Sequence, residues 1–266
     1  MPNVTQVKTT LTYHNNKVLH PNGNLMFYTN PKKINFYLKK DLAKIIEQHP
    51  DGRVDIQLTF QPKGYGCVSV FDLSEKKNIC VVNGESENLT QHHVIPAMFS
   101  KFFPLEFKNH NAHDVVLIGR DLHHVYEREA DEFKDKLAKE YGCLTLYDYN
   151  RENIISEMAK NPLYKNTIGT ARALFFHIDN MPLYRIEELE QKFREFTGEE
   201  PTKENLKLWS YKDSKYEIEK LYGEYFVPFI PDIKEFCVSW RKHFIETMNP
   251  KFLPVGWSVN GNFKID

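Results

Sequence analysis

The chain has 266 residues, 41% of them hydrophobic and 14% aromatic, which suits one large domain or two small ones with a real core and excludes a disordered polymer. The net charge of −1 gives no global attraction to nucleic acid, so a phosphate binder would need local Lys and Arg or a metal ion. No apolar run approaches the roughly 18–20 residues that cross a bilayer, and the N-terminal stretch MPNVTQVKTT lacks the apolar core of a secretory signal. A soluble intracellular protein, cytoplasmic or nuclear, is therefore expected. Cys67, Cys80, Cys143 and Cys237 form no C-x-x-C pair, so four reduced thiols are expected rather than a disulfide framework or an intact zinc ribbon.

In chain order, residues 12–66 alternate strand-like runs with turns. The turn Pro21-Asn22-Gly23-Asn24 precedes LMFYT, and a helical stretch is expected over FYLKKDLAKIIEQ. Asp51-Gly52 is a hairpin-grade turn, followed by VDIQLTF with Val54, Ile56, Leu58 and Phe60 alternating along a strand. Residues 78–142 are rich in histidine: six of the chain's eleven lie between His92 and His124. Here HHVIP at 92–96 and HDVVLIG at 113–119 each read as a strand, and DLHHVYE at 121–127 as the start of a helix. Leu122, Val125, Tyr126, Phe133 and Leu137 would form its apolar face and Gly142 its end.

A variable link is expected near 142–168, and helices after it. Ile186, Leu189, Phe193 and Phe196 make one stripe ending at Gly198. Ile233, Phe236, Cys237, Trp240 and Phe244 make another, opened by Asp232 with Glu235 three residues on, and stopped by Pro250. These stripes read as core.

The histidines suggest chemistry. Neighbours on a strand point to opposite faces, so His92 and His93 cannot do one job twice. His123 and Glu127, at i and i+4, share a helix face and suit two ligands of one divalent ion. His110, His113, His124 and His243 read instead as loop, surface or core histidines.

A strand, a second strand and a helix bearing an [D/H]-H-[IV]-x-P run and a histidine nine residues after a middle Asn resemble the HNH (ββα-metal) nucleases. The resemblance implies that His93 is the general base and that His92 and His123 bind a single divalent cation, with Glu127 as a further ligand. Asp114 stands where that family's Asn braces the loop aiming the base. It can accept the same hydrogen bond but cannot donate one. Mixed His and Glu ligation accepts Mg²⁺ or Mn²⁺, or a softer ion such as Zn²⁺ or Ni²⁺. The implied chemistry is hydrolysis of phosphodiester bonds in DNA or RNA, with Arg120, Arg128, Lys101 and Lys108 as candidate phosphate contacts.

Over roughly 14–260 a second resemblance runs through PNGNL, KKINFYLKKDLAKIIEQHPDGRVDIQLTFQPKG, CVVNG, FFPLEFKNHNAHDVVL and SWRKHFIETMNPKFLPVGWSV. It is similar to the C-terminal region of the metazoan 3′–5′ exonuclease-domain-containing protein 2 family, and the exonuclease domain itself is expected to be missing. In that family C-x-x-C knuckles flank the base strand. Here only Cys80 remains, with Asn83, Gly119 and Leu122 at the other positions, so the family's structural zinc is expected to be absent and Leu122 to pack apolarly.

The expected fold is α+β: a small mixed part at 1–77, an HNH-like ββα-metal domain at 78–142 and a helical part at 143–266. The alternative to a metal-dependent endonuclease is a catalytically inactive module of the same fold that binds nucleic acid or a protein partner.

Overall fold

The structure, a computed structural model, describes residues 12–62, 69–108 and 113–261, with the backbone alone at Lys108. Cys67, His110 and the Lys108 side chain lie outside the described residues. The elements in chain order are β1 (Asn16–Leu19), β2 (Leu25–Thr29), α1 (Pro31–Lys39), β3 (Ala43–Gln48), β4 (Val54–Leu58), β5 (Leu89–His93), α2 (Ala97–Ser100), α3 (Leu105–Lys108) and β6 (Val115–Gly119). Seven longer helices follow: α4 (Arg120–Glu140), α5 (Leu146–Lys160), α6 (Tyr164–His177), α7 (Leu183–Thr197), α8 (Lys203–Tyr211), α9 (Lys215–Phe226) and α10 (Ile233–Met248). Among the described residues no helix is long and apolar enough to cross a membrane.

The chain divides into two compact units. One takes the described residues up to Pro96, then Pro104–Ala130, then those from Asp232 onward; the other takes Ala97–Phe103 and Asp131–Pro231. The final helix α10 thus belongs with the β-strands and not with the helices before it, because it buries Arg241 on Asp114 and stacks Phe244 on His92.

In the first unit a four-stranded sheet has the order β2-β1-β4-β3, antiparallel except for the parallel β1–β4 pair. α1 begins where Asn30 accepts the Lys33 N–H ahead of Pro31. Its Ile34 joins Val18, Met26, Ile56 and Leu58 in a core on one face of the sheet. The expected helix over residues 36–48 is only partly there. Asp41 takes a positive φ of 54° and ends α1, and the rest is strand β3, paired with β4 around the Gly52 turn. Two adjacent isoleucines fit a pleated strand better than a helix interior. Phe60, expected on the strand, lies beyond the end of β4 and is exposed.

β5 and β6 form a separate antiparallel hairpin in which His92 faces Val116 and His93 faces Val115. Gly119 leads directly into α4, while the short helices α2 and α3 lie in sequence between the two strands. Along α4, Tyr126, Ala130 and Leu137 are buried, and Gly142, at φ +70°, follows its end. Val125, expected on that face, is 47% exposed, since one residue's offset from Tyr126 turns it 100° outward. α10 buries Phe236, Cys237, Trp240 and Phe244 as its pattern predicts. Asp232 accepts the Glu235 N–H at its start, and Asn249 turns left-handed at its end before Pro250.

The second unit is all-helical, with a core of Tyr164, Ile168, Leu174, Leu189, Phe193 and Trp209. Its first long helix, α5, occupies most of the expected link. Thr145 caps it by accepting the Asp148 N–H, yet it buries no residue fully, and so has no apolar stripe to be read.

Candidate metal centre

Alternation along β5 separates the two histidines as expected: His92 is buried and His93 exposed. His92 Nδ1 lies 3.2 Å from His123 Nε2, and their rings meet edge-on with centroids 4.9 Å apart. Glu127 Oε1 lies 3.2 Å from the same His123 nitrogen, one helical turn further on. One donor atom from each of the three residues therefore falls within 4.8 Å of the others.

The neighbours fix how these atoms present themselves. Thr90, two residues before His92, directs its hydroxyl to Ile118 O at 3.2 Å and sits 2.8 Å from His123 Nδ1. A carbonyl only accepts; with the hydroxyl proton on Ile118 O, Thr90 accepts from the Nδ1–H tautomer of His123. In the neutral ring the Nε2 lone pair is then free to face His92 and Glu127. A ligand imidazole held through its other nitrogen is the usual arrangement at metal sites.

The His92 ring is packed edge-on against Tyr126, with centroids 4.8 Å apart, and stacked on Phe244 at 5.5 Å. Burial first, then the charges of His123 and His93, push its pKa down to about 3, so it is neutral at any working pH. Its Nε2 is buried with no hydrogen-bond partner. Two imidazole nitrogens and a carboxylate oxygen converge, and such donors suit one divalent cation.

The Asp114 carboxylate is taken up by α10. Arg241 takes both oxygens, Nε at 2.6 Å and a second guanidinium nitrogen at 2.9 Å, and also donates to Val259 O and Gly261 O. Burial pushes the Asp114 carboxyl up, but the neighbouring His113 ring and the Arg241 guanidinium more than reverse this, holding it below the usual carboxylate range. Its link to the end of β5 is the backbone, where Val94 N–H donates to Asp114 O at 2.8 Å. Asp114 thus joins the start of β6 to α10 through its carboxylate and to the end of β5 through its backbone.

Arg120 and Arg128 are exposed on the first turns of α4. Lys101 belongs to the other unit, where its ammonium covers the Tyr216 ring 4.7 Å from the centroid. His113 is a core residue, stacked on Trp257 and accepting the Ser258 N–H. His124 is exposed, and His243 meets the Tyr126 hydroxyl at 3.1 Å. Cys80 is fully buried, its sulfur accepting the Gly119 N–H.

Two residues escaped the sequence pattern. Thr90 was legible in principle, two positions from His92 on the same strand face. Arg241 was the one charge inside the apolar stripe of α10. A second grouping, Glu47, His49 and Asp55, also lies within metal-binding distance. There His49 Nε2 and Asp55 Oδ2 are already paired at 3.0 Å, with Lys17 beside them.

A strand–strand–helix unit carrying a His–His–Glu donor set is the class of site this geometry defines. The chain is 28% identical over 263 residues to the human "Exonuclease 3′-5′ domain-containing protein 2" (Homo sapiens) and 27% identical over 271 residues to its mouse counterpart (Mus musculus). Each alignment covers 94% of this chain, but only 40% and 38% of those proteins. It is 30% identical over 204 residues to "Protein RRP6-like 3" of Arabidopsis thaliana, covering 70% of this chain and 22% of that one. The chain thus spans two fifths or less of these curated relatives. No protein-family profile and no solved structure matches it.

Proposed function

We propose that the chain is a metal-dependent nuclease of the HNH type, cutting phosphodiester bonds of DNA or RNA within the strand. The observation that carries this is the convergence of His92 Nδ1, His123 Nε2 and Glu127 Oε1 beside an exposed His93 on the adjacent strand position. The relatives' names support the coarser part, a nuclease-type hydrolase acting on nucleic acid. The one-cation, one-base chemistry has its support in the donor set itself.

His92, His123 and Glu127 would hold the cation, Mg²⁺ or Mn²⁺ ahead of Zn²⁺ or Ni²⁺. Bound there, it supplies positive charge to a phosphate oxygen and to the leaving 3′ oxygen. His93, on the solvent side of β5, takes a proton from the attacking water with a neutral imidazole nitrogen. Thr90 holds His123 in the tautomer whose Nε2 faces the centre. Tyr126 and Phe244 keep His92 neutral by excluding water from it. Asp114 and Arg241 fix the start of β6 against β5 and so fix where His93 points. Arg120 and Arg128 are available to neighbouring phosphates, and products with a 5′ phosphate and a 3′ hydroxyl are expected.

The test is cleavage of labelled DNA and RNA with Mg²⁺, Mn²⁺ or EDTA, in parallel with metal titration. His93→Ala should keep metal affinity and lose about 100-fold or more in cleavage rate. His123→Ala should lose both. Equal degradation by wild type and His93→Ala removes the assigned base. Salt-sensitive binding with no cleavage in any metal would instead make the chain a binding module.

A further inference from the structure

Strand β3 lies at the end of the four-stranded sheet, and among the described residues nothing pairs with its outer side. All of it but Ala43 is exposed, and Ile45 and Ile46 leave 45% and 49% of their surface to solvent. An open edge with apolar side chains is a template for another strand unless its charges repel one.

The charges on this edge are self-complementary. Its sequence, AKIIEQ, places Lys44 and Glu47 symmetrically about the Ile45–Ile46 bond. In a regular strand residues three apart point to opposite faces, and such a pair could not meet across a two-fold axis normal to the sheet. Here the ladder to β4 slips by one residue between Ile45 and Glu47. Lys44 therefore lies opposite Gln57 and Glu47 opposite Asp55, two residues apart on β4, so Lys44 and Glu47 share one face. The bulge that ordinarily spoils an edge is what makes this one match itself.

We propose that β3 is the docking edge for a second copy of this chain, joined antiparallel about a two-fold axis between Ile45 and Ile46. Lys44 of each copy then stands beside Glu47 of the other, twice by symmetry, and the four isoleucines meet across the seam. A short edge buries little area, so the dimer is concentration-dependent rather than obligate. The inference is independent of the metal centre.

Sedimentation of the full chain over a concentration series tests it, with circular dichroism confirming that each variant folds. Wild type should form a dimer. Lys44→Glu and Glu47→Lys should each weaken it about tenfold or more, since both symmetric pairs become like charges. Mixing the two variants, or combining them as Lys44→Glu/Glu47→Lys in one chain, should restore the dimer, because each restores opposite charges at both positions. A wild type that stays monomeric at every concentration overturns the proposal, as does a dimer that ignores the single reversals. The first outcome leaves the edge to a different protein's strand, and the second puts the dimer on another surface.

Discussion

The hydroxyl of Thr90 has one proton and lies within reach of both Ile118 O and His123 Nδ1. With that proton on Ile118 O, Thr90 accepts from the Nδ1–H tautomer of His123, whose second nitrogen faces His92 and Glu127 as a metal ligand would. Thr90→Val keeps the shape of the side chain and removes this constraint. Manganese affinity measured by titration should fall between about tenfold and 100-fold with the fold intact. An unchanged affinity would mean that the tautomer is fixed elsewhere. The separation of His92 from His93 was legible in the sequence because strand alternation is a rule of backbone geometry. The partner of Asp114 was not, because Arg241, which claims its carboxylate, comes 127 positions later and only the fold brings them together.

At the scale of elements, local signals carried wherever a side chain caps a terminus or one face is uniformly apolar. Asp232 at the start of α10 is such a signal, and Asp232→Ala should cost about 1 kcal/mol in denaturant unfolding. Strand β6, the start of α4 and the stripes of α7 and α10 were readable for the same reason, whereas β5, Leu89–His93, shares only His92 and His93 with the strand expected at 92–96. α5 was not, since a helix that buries nothing fully has no period in its apolar residues. β3 was masked by lysines and leucines that suit a helix, and only its pairing with β4 overrides that preference. Close approach of backbones is equally invisible in sequence. Gly223 of α9 lies where an added Cβ would collide with Met98 O of α2. Gly223→Ala should therefore destabilise by about 1–3 kcal/mol, seen as a lower thermal midpoint. An unaltered midpoint would show that the two helices are free to separate.

For the whole molecule, the Asp114–Arg241 pair ties the last helix to the loop between the histidine strands, and its pH dependence follows from sign. The folded carboxyl is held below its ordinary range, so its contribution is fully present above the unfolded value of about 4 and is lost as pH falls from there through the folded value. Unfolding midpoints should drop steeply below about pH 4. Asp114→Asn should flatten that drop while costing about 3–5 kcal/mol near neutral pH, where it leaves Arg241 buried without its counter-charge. The same pair explains why the chain divides as it does, with α10 belonging to the unit of the histidine hairpin.

In the proposed centre one cation is held by two imidazole nitrogens, from β5 and α4, together with the Glu127 carboxylate. Nitrogen hyperfine spectroscopy of Mn²⁺ bound to the full chain addresses it most directly. Two imidazole couplings at one ion per chain are predicted for wild type, and one in His123→Gln. A bound ion without nitrogen coupling, or spectra identical in wild type, His92→Gln and His123→Gln, would contradict it.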